Sequence, residues 1–194
     1  MHSIHYINSR SPEAASDLSF ILSSFIHDRC PLPSAIVLLC IGTDRVTGDS
    51  LGPLTGYKLM QKALPNLYIY GTLAQPVHAL NLEAVVTDIK RKHPKLPVVA
   101  VDASFGDRST VDYVTLYPGS LEPGVGVDKS LGAVGDIAIT GIVNAETESV
   151  HSFAQLQATR LHTVMCLADV IAEGIAQTAA AITAPSQLQL HCQQ

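Results

Sequence analysis

The chain has 194 residues, 47% of them hydrophobic, enough for one α/β domain with a sizeable core. Twelve basic residues face seventeen acidic ones, a formal net charge of -5. With no basic stripe along the chain, that balance argues against nucleic acid as a partner. The four cysteines, Cys30, Cys40, Cys166 and Cys192, form neither a CxxC pair nor a secreted-type disulfide framework. Cys40 and Cys166 sit in apolar runs, where small core residues belong.

In chain order, the pattern alternates. Ser11 as N-cap and Pro12 at the first helical position open a helix over 12–28, with Leu18, Ile21, Leu22 and Phe25 at helical spacing. An unbroken apolar run at 35–41 predicts a buried strand, followed by a helix over 51–63. A strand over 67–70, a helix over 80–92 and a strand over 98–101 follow. The basic run Lys90-Arg91-Lys92-His93 closes that third helix, where cations complement the helix dipole. Residues 111–117 alternate as a half-buried strand does. The Gly- and Pro-rich stretch 118–135 reads as a loop, and 137–143 as a further strand. One long helix is expected from residue 151 or 152 to 182, weakened or kinked at Gly174. Residues 1–10 and 185–194 are expected to be flexible around a single α/β domain.

The N-terminus lacks a charged and then apolar signal sequence. The last helix carries Arg160, Asp169 and Glu173, which speaks against a membrane span. The expectation is a soluble, intracellular protein with no membrane partner. The apolar length of that helix makes a homo-oligomer an expectation too.

Strands alternating with helices predict a mostly parallel sheet of about five strands, covered on both faces. The carboxyl ends of the first three strands then share one rim, where ligands gather in open α/β sheets. That rim unites the loop CIGTDRVTGDSLGP, residues 72–78, and Asp102 with Ser104.

Two carboxylates in one site split their titrations, so one residue type supplies both a base and an acid. Asp49 and Asp102 are the pair so identified. By spacing alone, N-capping of the following helix explains Asp49, and backbone hydrogen bonding explains Asp102. Asp44, after Gly42-Thr43, suits an Asx-turn that shapes the loop, with Thr43 and Asp44 as assisting or substrate-binding residues. His78 could orient a carboxylate, shuttle a proton or join both aspartates on a divalent metal. His151 and His162 read as surface or packing residues. No GxGxxG, P-loop or GxSxG pattern is present, which disfavours nucleotide and serine-hydrolase readings.

The segments CIGTDRVTGDSLGP, YGTLAQPVHALNLE, VAVDAS, PGVGVDKSLGAVGDIAITGIVN and LQATRLHTVMCLADVIA resemble YyaC-type sporulation proteins (the DUF1256 family). That family is similar to the spore germination protease and the hydrogenase-maturation endopeptidases. The resemblance implies a three-layer α/β/α sandwich, hydrogenase-maturation-protease-like. Through GDSLGP and VVAVDAS it implies catalytic roles for Asp49 and Asp102. It also implies a cytoplasmic location, in the forespore or mother cell of a spore-forming bacterium. Two functions are therefore carried forward. One is a hydrolase of sporulation or germination, a peptidase whose Asp49 and Asp102 activate water against a protein or peptide substrate. The other is a non-enzymatic sporulation protein that binds a peptide or metal on the same scaffold. The hydrogenase-maturation likeness implies a divalent metal on Asp49, Asp102 and His78, although His78 does not sit in the histidine motif of those enzymes.

Overall fold

The apolar run becomes a central strand, all of whose residues are buried. In the computed structural model, which describes residues 4–124, 132–147 and 152–182, this strand is β2 (Ile36–Cys40). It lies between β3 (Leu67–Tyr70) and β4 (Val98–Gly106), parallel to both. β6 (Ile137–Ala145) extends the parallel set beside β4. β5 (Tyr113–Pro118) and β1 (His5–Asn8) complete a six-stranded sheet in the order β1-β5-β6-β4-β2-β3.

This sheet is mixed, which corrects the mostly parallel sheet of about five strands. β5 runs antiparallel to β6, and β1 antiparallel to β5. The reason lies in chain length. Only residues 107–112 separate β4 from β5, whereas a parallel return needs a crossover of about a dozen residues or more. β1, within the stretch expected to be flexible, is a short edge strand that buries Ile7 alone.

Alternate strand residues feed two apolar clusters, one on each face of the sheet. Ile36, Leu38, Val99, Val101 and Ile139 face α1 (Ala14–Arg29), α2 (Leu51–Met60) and α5 (Leu161–Ala181). Val37, Leu39, Ala100 and Ala138 face α3 (Leu82–Lys92), which contributes Leu82 and Ile89. Its last turn carries Lys90, Arg91 and Lys92, two of which pair with Asp88.

The single C-terminal helix of the sequence reading is two helices, α4 (Ser152–Ala158) and α5, broken by an extended Arg160. The end of β6 reaches into the break: Asn144 Nδ2 donates to the Gln155 carbonyl at 3.2 Å, the same oxygen that accepts from Thr159 Oγ1. α5 runs uninterrupted through Gly174. This glycine lies against α1, where a Cβ would sit 2.6 Å from Leu18 Cδ2 and 2.9 Å from the Ala15 carbonyl oxygen. By length and composition α5 could cross a membrane; here Val164, Leu167, Ala168, Ile171 and Ile175 bury it in the core. Cys40 is buried, and burial pushes its thiol pKa up. Cys166 is only half-buried, beside His162, rather than a core residue. Ser11 makes a cap-type bond in the turn before α1, its Oγ accepting the Glu13 N–H at 3.3 Å and its carbonyl the Ala14 N–H at 3.1 Å, while the helix itself starts at Ala14. His151, Cys192 and the tail lie outside the described residues.

Candidate active site

The chain goes from β2 through α2 to β3 on one side, then crosses back through α3 to β4 on the other. The two connections use opposite faces of the sheet, so β2 and β4 flank a topological switch point. The crevice beyond their carboxyl ends is where such folds hold ligands.

The loop leaving β2 is closed by its own backbone. Ile41 N–H donates to the Val101 carbonyl at 2.7 Å and Gly42 N–H to the Val77 carbonyl at 2.8 Å. Gly42 takes φ +132, and a Cβ there would fall 2.0 Å from the Asp49 carbonyl oxygen. A side chain is excluded twice, by conformation and by contact. Thr43 N–H then donates to both the carbonyl oxygen of Asp49 at 3.0 Å and its Oδ2 at 2.9 Å. Asp49 lies in a 3-10 turn (Gly48–Ser50) that leads into α2. Its carboxylate therefore ties the loop and does not cap the helix. The Asx-turn expected of Asp44 is also absent; the turn bond is Arg45 N–H to Thr43 Oγ1 at 3.3 Å.

Asp102 does not follow β4 but lies inside it. The β2 ladder ends at Cys40–Val101, while β4 continues beside β6 with Asp102 opposite Thr140. Asp102 therefore emerges where its neighbour has turned away, and it is 6% exposed. Its Oδ1 accepts the Ala103 N–H at 2.8 Å. His78 enters from the loop after β3, anchored by the Ile41–Val77 bridge. Its N–H donates to Asn81 Oδ1 at 2.8 Å, and its Nδ1 accepts the Leu80 N–H at 3.3 Å.

Thr43, Asp44, Asp49, His78 and Asp102 all line one cavity of about 490 Å³. Leu73, Leu80, Phe153 and Leu156 give it apolar walls. Burial raises the Asp49 pKa to about 6, against the Thr43 amide and the nearby His78, which favour the charged form. Burial raises Asp102 well above the usual carboxylate range, and the Asp49 charge raises it further. The charge on Asp49 thus bears on the protonation of Asp102. Among the described residues, no group of three His, Cys, Asp or Glu side chains is disposed to hold a metal ion. The set Asp49, Asp102 and His78 does not fit one.

Comparison with known proteins gives the lineage. Residues 6–174 match the family described as "Protein of unknown function (DUF1256)". The chain belongs to the DUF1256 family. It is also 44% identical over 173 residues to "Uncharacterized protein YyaC" of Bacillus subtilis (strain 168), covering 89% of this chain and 82% of that protein.

Several residues of this DUF1256 chain near the aspartates receive no chemical role from the sequence. Arg45 lines the same cavity. Tyr117, on β5, lies close enough to Asp102 and Glu122 for their charges to raise its pKa along with burial. Thr140 Oγ1 joins Ser104 Oγ at 2.9 Å and Thr115 Oγ1 at 2.7 Å, a row of hydroxyls across three strands. Strand alternation was the available signal, since it puts Thr115 and Tyr117 on one face.

Proposed function

We propose that the protein is a peptidase of sporulation or germination whose water is activated by Asp49 and Asp102. The observation that carries this reading is the pair of carboxyl groups in one cavity, each with a raised pKa and one raised partly by the other. At neutral pH, Asp49, with a value of about 6, is ionised and accepts a proton from water. Asp102 retains its proton and donates it to the leaving amine. His78 helps keep Asp49 charged, and Thr43 N–H holds the Asp49 carboxylate in place. The apolar walls hold a side chain of the substrate and exclude bulk water. No step uses a metal.

The parallel β3-β2-β4-β6 core with helices on both faces supports a three-layer α/β/α sandwich related to the hydrogenase-maturation endopeptidases. The reading extends to action within the spore-forming cell. Incubating total spore protein with wild type or with the D49N/D102N double variant, then sequencing new N-termini, tests it. New termini with wild type alone support hydrolysis; identical sets from both refute it. The same cavity would serve a non-enzymatic member that binds a peptide, because its apolar walls and loop amides do not depend on turnover. Substrate-derived peptides retained intact by wild type would identify that case.

A further inference from the structure

α3 covers only part of its face of the sheet. Its buried residues meet β2 and the first halves of β4 and β6, and among the described residues no helix covers the rest. Over that remainder lies a second hollow of about 420 Å³, floored by Ser104, Thr140 and Thr115 and flanked by Tyr6 and Tyr117. It adjoins the first cavity at two places. Asp102 lines both. The segment after β5 also spans both, with Leu121 and Glu122 on one side and Pro123 and Gly124 on the other.

Its charge is one-sided. Asp107, Glu122 and Glu146 line it, and among the described residues no Lys or Arg does. Asp107, Glu122 and Glu146 are exposed and make no ion pair among the described residues. The inner end is independently poised for a ligand. Asp102 is 6% exposed, and its Oδ2 has no hydrogen-bond partner among the described residues. Tyr6, 56% exposed, offers an aromatic face of the kind that attracts Lys and Arg.

We infer that the two hollows form one groove divided at Asp102, and that the hollow over the sheet receives an extended substrate segment bearing basic side chains. This rests on the peptidase reading for the word substrate; the groove's preference for a cationic strand can be measured without turnover. An extended chain turns alternate side chains to one face, so a Lys–Ala alternating peptide would present its amines to the three carboxylates while its backbone crosses the hydroxyl row.

The probe is a fluorescent Lys–Ala alternating decapeptide, with the Glu–Ala peptide as its counterpart, read by anisotropy at moderate salt. Wild type should bind the first and not the second. The D107N/E122Q/E146Q variant should bind about tenfold more weakly, the sum of three screened charge contacts. The E13Q/D28N/E83Q variant changes net charge equally at exposed positions elsewhere and should bind as wild type does. Amide shifts on titration should concentrate at Ser104, Thr115 and Thr140. Absence of binding by wild type, equal weakening by both triple variants, or shifts elsewhere would each overturn the inference. The outcomes separate from those of the hydrolytic reading. Groove-specific binding without new N-termini upholds the groove and removes the peptidase. New N-termini without groove-specific binding do the reverse.

Discussion

Replacing Asp49 by Asn should stabilise the protein at neutral pH and do little at acid pH. In the folded state the carboxyl loses its proton at about 6 instead of 3.8. A raised folded value means that the unfolded chain ionises first, so stability falls as pH climbs from 3.8 to 6 and is level beyond. That displacement corresponds to a limit of about 3 kcal/mol. Partial exposure of Asp49 to solvent lowers the realised figure toward about 2 kcal/mol. Asn keeps an oxygen to accept the Thr43 N–H, so the loop tie survives. Urea unfolding of both proteins should give midpoints that nearly coincide at pH 4, where the difference is about 0.6 kcal/mol at most, and separate in favour of D49N at pH 7.5. A gap of constant size across this range, or a wild type that is the more stable at pH 7.5, would refute the claim that burial burdens this carboxylate.

Gly52→Ala should destabilise by about 3 kcal/mol or more, because its Cβ would lie 2.1 Å from the Ile41 carbonyl oxygen, a backbone atom with nowhere to go; thermal unfolding measures this. Any hydrolysis by the protein should rise with pH through about 6 as Asp49 ionises, and D49N should abolish that acid limb, as a pH–rate profile would show. Thr140→Val should cost about 1–3 kcal/mol in chemical denaturation, because it leaves the buried Thr115 hydroxyl without its partner.

The site was readable in the sequence to the extent that buried parallel strands announce themselves. Runs such as Ile36–Cys40 have few alternatives, and their order puts residues after β2 and β3 on one rim with Asp102. What local sequence could not supply was the length of β4. Residues 102–106 do not continue an apolar run, yet they form strand because β6 supplies a ladder as far as Gly106–Ala145. That is a long-range cause, and it moves Asp102 from a loop into the sheet. β1 escaped notice because an edge strand burying one side chain leaves little pattern. The break at Arg160 carries no Gly or Pro; it is imposed from outside by Asn144. The direction of β5 was legible in the short stretch 102–110 left between the two expected strands, too few residues for a parallel return, which alternation of apolar residues does not reveal.

The unequal strands explain why the two aspartates differ. Asp49 belongs to a loop that has left the sheet, so it keeps some solvent and a moderate pKa of about 6. Asp102 belongs to a strand that continues after β2 has turned away, so the sheet buries it and one amide alone favours its charge. Had β2 run on beside β4, its next residue would fill the space above Asp102. Had β4 stopped with β2, Asp102 would have joined Asp49 in solvent. The stagger between adjacent parallel strands at the switch point thus creates both the cavity and the asymmetry of its acids. The same stagger leaves β4, β6 and β5 uncovered beyond Asp102, which is why the second hollow begins where the first one ends.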